Sequence, residues 1–170
     1  RMNTVYSCVK VLSDTMATLP CHLYRETAAG KEMHYSAPLH NLMLNSPNEY
    51  QTGPEFFSYV MVNLCLSGNF YGYINKTSSG KVVEILPLKS ENVSVQQDAQ
   101  YNVVYVVTFD NGEQDVMRPD QILHIRGMSM DGVTGVSPIQ YNANTIGHGI
   151  DARDYAANVF TNDATPRGVL

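Results

Sequence analysis

Cysteine and histidine are the side chains in this sequence that could supply a nucleophile and its base. Cys21 and His22 are adjacent, but neighbours on a predicted strand point to opposite faces, so they make a poor catalytic pair. Cys8 and Cys65 would each need a histidine brought close by the fold, which nothing in the sequence indicates. The three cysteines are widely spaced and lack a C-x-x-C pair, which predicts reduced, buried thiols.

The remaining histidines and the paired carboxylates also suggest structural roles. The five histidines show neither an H-E-x-x-H motif nor a paired zinc spacing. His124 lies in a short apolar strand and is predicted to be a hydrogen-bonded core residue. Asp151 and Asp154 share one face of a predicted helix. With Arg153 between them, a salt-bridged surface is favoured, and a hydrolytic carboxylate pair is the alternative.

A glycine-rich stretch raises the question of a phosphate loop. It carries Gly127, Gly132 and Gly135, but Gly135-Val-Ser137 lacks the lysine of a Walker loop, and the dinucleotide spacing is absent. The helix start at Ser137 could attract an anion, although a tight turn with a helix cap is favoured. The sequence therefore predicts no catalytic, cofactor-binding or metal-binding residue and no enzyme.

Helices with recognisable start and stop signals would position these residues. Apolar residues at spacings of three and four predict a first helix ended by Pro20, with the face Val5, Val9, Leu12, Met16 and Leu19. A short helix is predicted over 38–44, and the T-x-x-E capping box of Thr52 and Glu55 begins a longer one. A second capping box, Ser137 with Gln140, begins a long helix to about Phe160. Two glycines in its interior, Gly147 and Gly149, predict close packing against a neighbour.

The strands between these helices predict a mainly antiparallel sheet. One hairpin is predicted around Gly30, with strands at Cys21–Tyr24 and Met33–Tyr35, and the turn Asp110-Asn-Gly112 marks another. Segment 165–170 is predicted to be an exit strand. The fold class is therefore α+β, helices packed on a mainly antiparallel sheet with a long C-terminal helix. Two regions are predicted: 1–136 as an α+β domain, and 137–170 as the long helix and exit strand.

Composition limits the possible functions. Of the 170 residues, 44% are apolar, which allows a sizeable core, and only 16% are charged. The net charge of −5, without a run of basic residues, argues against tight nucleic-acid binding. No stretch is apolar enough to span a membrane. A surface rich in amides, hydroxyls and tyrosine (11 residues) suits contacts with other protein. The Arg1 start and the apolar Val169-Leu170 end suggest a piece of a longer chain.

Five groups of segments, in order, together resemble the portal proteins of long-tailed bacteriophages. They are 5–20; 38–48 with Phe56-Phe57; Leu66-Ser-Gly-Asn-Phe-Tyr-Gly-Tyr73; 85–88 with 93–95; and 122–125 followed by 132–138 and the helix that ends in 160–170. Asn162-Asp163-Ala164 departs from the Asn-Gly-Ala more usual in that family.

The resemblance implies a wing-like domain in 1–136, with 137–170 leading towards a stem and clip that lie beyond this sequence. It also implies a non-enzymatic, dodecameric ring at the capsid vertex, through which double-stranded DNA is packaged and ejected without sequence preference. The implied partners are other copies of the chain, the terminase large subunit, the major capsid or scaffold protein, and head-completion and tail proteins. The implied locations are the virion and, during assembly, the bacterial host cytoplasm.

Two other functions remain open from the residues alone. One is a small α+β hydrolase using a Cys/His or an Asp pair, for which Cys65, His124 and Asp154 are the residues to test. The other is a binding module that holds an anionic ligand at Ser137. For the portal interpretation, we expect rings from the full-length protein, and a monomeric or weakly associated 170-residue fragment.

Overall fold

The structure of the chain is a computed structural model. It describes residues 3–28, 30–98 and 100–161, without the side chains at 3, 144, 153, 154 and 158–161. The helices are α1 (Asn3–Thr18), α2 (Pro38–Leu44), α3 (Gly53–Ser67), α4 (Pro138–Tyr141) and α5 (Ala143–Thr161). The strands are β1 (Tyr24–Thr27), β2 (Gly30–Met33), β3 (Asn69–Lys76), β4 (Val82–Leu88), β5 (Val93–Gln97), β6 (Val103–Thr108), β7 (Gln114–Met117) and β8 (Ile122–Arg126). The predicted exit strand 165–170 and the Asn162-Asp163-Ala164 turn lie outside the described residues.

All strand pairs between the named strands are antiparallel, and the strands form three sheets. β1 pairs only with β2, a second sheet has the order β4-β3-β8, and a third has the order β5-β6-β7. The α+β prediction is confirmed.

Two clusters of buried side chains fix the layers. Along β3, successive residues point to opposite faces. Phe70 packs with Phe56 and Val60 of α3, and Tyr71 packs with residues of the β5-β6-β7 sheet such as Tyr105. The β4-β3-β8 sheet therefore lies between α3 on one face and the third sheet on the other.

The local signals explain several element boundaries. Glu55 accepts hydrogen bonds from the Thr52 backbone N–H and hydroxyl, both at 2.8 Å, at the start of α3. Gly68 ends α3 in the left-handed conformation, with φ 77°. The Asp110–Gly112 turn joins β6 to β7 as predicted, with Gly112 at φ 85°.

The predicted apolar face of α1 is partly wrong. Leu12 and Leu19 are exposed, at 50% and 57%, whereas Ser13 is buried. The helix places Val9 and Ser13 on the side that faces α3. The Ser13 hydroxyl donates a hydrogen bond to the Lys10 carbonyl at 3.0 Å, within the same helix. A buried serine with a local acceptor costs little, so the apolar pattern alone gave the wrong orientation.

The first hairpin exists, but its strands lie closer to the turn than predicted. β1 begins at Tyr24 and β2 begins at Gly30, which has φ 128°. Cys21 and His22 therefore precede the strand rather than belong to it.

The helix predicted from Ser137 to Phe160 is divided at Asn142 into α4 and α5. The Asn142 side-chain amide donates to the Pro138 carbonyl at 2.9 Å, and a short amide side chain that bonds to local backbone favours a turn. The close packing predicted at Gly147 and Gly149 is wrong for the described residues, since a Cβ added at either would have no atom within 4 Å beyond its chain neighbours and the nearby backbone of its own helix.

Candidate functional site

The catalytic candidates do not meet among the residues that the structure describes. Cys21 is half-buried and makes no hydrogen bond to a histidine there, while His22 stacks on His40 with ring centroids 6.5 Å apart. Burial raises the pKa of the Cys65 thiol, which disfavours the thiolate that a nucleophile needs. Asp151 is exposed, and the Asp154 side chain lies outside the described residues, so the carboxylate pair stays untested.

His124 instead lies at a polar junction between the two larger sheets. Its ring stacks on Tyr71 of β3, with centroids 4.5 Å apart and an interplanar angle of 29°. Its Nδ1 is 3.2 Å from the Tyr105 hydroxyl on β6, and its Nε2 is 3.0 Å from Asn69 Oδ1. The predicted hydrogen bonds of His124 are therefore confirmed, and its side chain is half-buried at the edge of the core.

The hydrogen bonds of Asn69 determine the tautomer of His124. Asn69 Oδ1 accepts from the Gly135 N–H at 2.6 Å, and its amide nitrogen donates to the Gly135 carbonyl at 2.8 Å. The atom facing His124 is thus an acceptor, so Nε2 carries the proton and Nδ1 accepts from the Tyr105 hydroxyl. His124 is a neutral imidazole with both nitrogens paired.

Charge and burial favour this neutral state. Burial lowers the pKa of His124, and the positive charge of Arg126 lowers it further. Burial, together with a smaller electrostatic effect of Tyr105, raises the pKa of Tyr71 to about 12. The junction is therefore uncharged around neutral pH, and both imidazole nitrogens are occupied by hydrogen bonds.

Beside Asn69, the backbone of the glycine-rich loop also contacts the end of α3 directly. The Gly127 N–H donates to the Gly68 carbonyl at 2.8 Å, and a Cβ added at Gly135 would collide with that same carbonyl oxygen. Here the backbones approach so closely that only glycine fits.

The loop does not form a phosphate cradle, because its N–H groups already have partners. Asp131 accepts from the Val133 and Thr134 N–H groups, each at 2.8 Å, and the Gly132 N–H donates to Ser129 at 2.9 Å. The hydrogen bonds that Asp131 accepts, first from the Thr134 hydroxyl and then from the Thr134 and Val133 N–H groups, hold the pKa of its carboxyl well below the ordinary value.

Ser137 is a buried helix cap. Its hydroxyl donates to the Leu66 carbonyl at 2.6 Å and accepts from the Gln140 N–H at 3.2 Å. A four-residue helix with an occupied cap gives an anion little to bind. The structural interpretation of this stretch, a turn followed by a cap, is confirmed.

An apolar groove of about 660 Å³ runs between α1, α3 and the start of the C-terminal helices. The Lys10–Asp14 ion pair, 2.7 Å long, lies at its edge. Its apolar lining comprises Val5, Val9, Val62, Leu66, Ile139 and Ile146.

Exposed tyrosines are the other surface feature. Seven tyrosines are between 52% and 82% exposed, namely Tyr6, Tyr24, Tyr35, Tyr50, Tyr101, Tyr141 and Tyr155. Tyrosine is enriched where proteins contact one another, so this surface agrees with the one predicted from composition.

Sequence reasoning missed Asn69 and Tyr105 as partners of His124. Asn69 lies within the Leu66–Tyr73 segment that carries the family resemblance, directly after the glycine that ends α3. That position could have indicated a structural role for Asn69 from the sequence. The approach of Tyr105 to His124 depends instead on how two sheets pack.

Within the described residues, no three histidine, cysteine or acidic side chains lie close enough to hold a metal ion. No helix in that part of the chain is long and apolar enough to cross a membrane.

Comparison with known proteins identifies relatives across this whole region. A family model described as Phage portal protein matches residues 3–170. The chain is 31% identical to the portal protein of Enterobacteria phage HK97 over all of its own length and 40% of that protein. It is 42% identical over 88 residues to protein BeeE of Escherichia coli K12, covering 52% of this chain and 55% of BeeE. The chain thus spans about half, or less, of these relatives.

Solved structures share the fold. A chain in the neck of an empty gene transfer agent particle, computed with C6 symmetry, superposes with a TM-score of 0.77 at 24% identity, over 97% of this chain and 48% of that one. An HK97-family phage portal protein from Corynebacterium diphtheriae gives 0.66 at 15% identity, over 93% and 47%.

Proposed function

The chain belongs to the phage portal protein family, and on that basis we propose that its full-length protein is a structural subunit of a portal ring. The observation that carries this proposal is the family match over 3–170, which includes every described helix and strand. In the ring, double-stranded DNA would pass through a central channel during packaging and ejection.

The character of the surface supports a ring subunit. Charge is scarce, tyrosines are exposed, and an apolar groove lies open between three helical segments. Removing water from a surface with few charges costs little free energy, so such surfaces suit contacts between subunits. A related fold occurs in the neck of a native gene transfer agent particle computed with C12 symmetry, and we propose a dodecamer for this protein.

The absence of strong positive charge supports a passive role in DNA passage. The net charge is −5, and DNA bound through many phosphate contacts would resist translocation. We propose that the protein is not an enzyme, and that the partners are the terminase large subunit, the capsid or scaffold protein, and head-completion and tail proteins. Its locations would be the virion and, during assembly, the host cytoplasm.

Within this frame, we assign 1–136 to the wing and 137–170 to the connection towards the stem and clip. The Ser137 hydroxyl donates to the Leu66 carbonyl at 2.6 Å, and this bond between the two regions supports a fixed link. The hydrolase alternative receives no support from the geometry of His124, whose nitrogens face Tyr105 and Asn69.

The mass of the full-length protein in solution tests this proposal. We expect one dominant species at a fixed multiple of the subunit mass, close to twelve. Loss of a defined hydrolytic turnover on substituting Cys65, His124 or Asp154 with alanine would instead favour the enzyme. A single species at the subunit mass would contradict the ring.

A further inference from the structure

The hairpin of β1 and β2 is separate from both buried clusters. Seven of its eight strand residues are exposed, and Thr27 is half-buried. Among the described residues, no third strand joins this sheet. A lone two-stranded hairpin is only marginally stable in water, so a further strand would stabilise it.

The register shows which backbone groups point away from the hairpin. The His34 N–H donates to the Leu23 carbonyl at 2.8 Å, and the pairing continues from Tyr24 opposite Met33 to Thr27 opposite Gly30. Bonded and non-bonded pairs alternate along an antiparallel ladder.

It follows that Arg25 and Glu32 bond inside the hairpin. The backbone groups of Tyr24 and Glu26 point outward from β1, and those of Lys31 and Met33 point outward from β2. Each edge is therefore a template for one more strand.

The charged side chains of the hairpin restrict which strand can pair with its outer edge. Arg25 lies opposite Glu32, and Glu26 lies opposite Lys31. A second β1 placed against the outer edge of β2 in the same register would repeat both opposite-sign pairs. A slip of one residue would place Arg25 opposite Lys31, or Glu26 opposite Glu32, and like charges in such positions are destabilising.

We propose that β2 of one copy of this chain pairs antiparallel with β1 of the next copy, so that the hairpins form a continuous sheet between subunits. This inference rests on the proposed ring. The two edges are different surfaces, so the contact is head-to-tail, which is the type that generates a closed ring. Charged residues that would repel a random strand then admit only a copy in the correct register.

Proline variants of the full-length protein test the outward hydrogen bonds. Glu26→Pro and Lys31→Pro each remove an N–H that points outward and leave the bonds inside the hairpin intact. Glu26→Thr and Lys31→Thr are the matched controls, because they lose the same charge and keep the N–H. We expect the subunit concentration needed for half-maximal ring formation to rise about fivefold more in each proline variant than in its threonine control.

Cross-linking gives an independent test that does not depend on proline. In the inter-subunit ladder Arg25 and Glu32 form a non-bonded pair with Cα atoms about 4.5 Å apart, which suits a disulfide. Chains carrying Arg25→Cys, mixed with chains carrying Glu32→Cys, should give a mixed disulfide dimer under mild oxidation. Each variant alone, with the same native cysteines, should not.

The outcomes separate this inference from the proposed function. Rings that form normally in both proline variants, with no mixed disulfide, would overturn the hairpin contact and leave the ring in place. Absence of rings from the unmodified full-length protein would overturn the proposed function.

Discussion

At the scale of single residues, His124 is the polar centre of the described fold. It connects β8 to Tyr105 of the third sheet and, through Asn69, to the loop before α4. Because both ring nitrogens are paired in the neutral form, the junction depends on the imidazole staying unprotonated. It is a positioning residue, and its role is to fix distances between elements.

Acidification should therefore weaken the fold through His124. Its pKa is lowered in the native state relative to about 6.5 in an unfolded chain. The unfolded chain then binds more protons below that pH, so the free energy of unfolding falls as the pH drops from about 6.5 towards the native pKa. Urea unfolding at pH 7.5 and pH 5.5 measures the loss.

The His124→Gln variant should show a smaller loss of stability between those two pH values than the natural sequence. Substitution of the exposed His22 with glutamine is the control, and it should leave the difference unchanged. Equal pH dependence in the natural protein and in His124→Gln would contradict the assigned role.

Ser137 is the second residue whose role can be measured. Ser137→Ala removes a cap and leaves the Leu66 carbonyl without its donor, and we expect a loss of about 0.5–2 kcal/mol in the free energy of unfolding. The exposed Ser78→Ala is a control that should change little. Unfolding of the two variants at the same urea concentration would contradict a stabilising role for the Ser137 cap.

At the scale of elements, the backbone at the end of α3 approaches the loop before α4 so closely that an added Cβ would collide. This approach explains two of the three glycines, Gly127 and Gly135, that suggested a phosphate loop in the sequence, and it involves Gly68 at the end of α3. The same composition serves close packing instead, because each N–H from 132 to 136 already has an acceptor.

Two glycine-to-alanine substitutions should have opposite effects. Gly135→Ala forces a Cβ into the Gly68 carbonyl, and we expect destabilisation of about 1–3 kcal/mol. Gly147→Ala in α5 meets open space among the described residues and should stabilise by about 1 kcal/mol. Thermal unfolding of both variants checks the pair, and similar shifts in the same direction would contradict the packing described for this contact.

Much of the fold could be predicted from the sequence because its signals are local. The capping box at Thr52, the turn at Gly112 and the break after Gly68 depend only on neighbouring residues, and each was confirmed. The orientation of α1 and the interruption at Asn142 depend on a buried serine and on a side-chain bond to the backbone, which apolar periodicity does not encode.

The junction around His124 was predictable only in part. Its burial in an apolar strand was visible, but its partners come from residues 55 and 19 positions away in the chain. Contacts of that separation are set by how two sheets pack, and the sequence pattern carries no direct trace of them.

At the scale of the whole molecule, the described surface carries three features suited to contact with other protein. They are an apolar groove, seven exposed tyrosines and a two-stranded hairpin that no third strand joins among the described residues. The 170-residue chain spans 40% of the HK97 portal protein, so much of the ring contact is expected from the remainder. We therefore expect the fragment alone to be monomeric or weakly associated by analytical ultracentrifugation, and a stable dodecamer of the fragment would contradict this.

Electron microscopy of the purified full-length protein tests the central claim most directly. The portal assignment predicts closed rings of uniform diameter with a central opening, and class averages that show rotational symmetry of about twelve subunits. Compact monomers alone, across a wide range of protein concentrations, would contradict it.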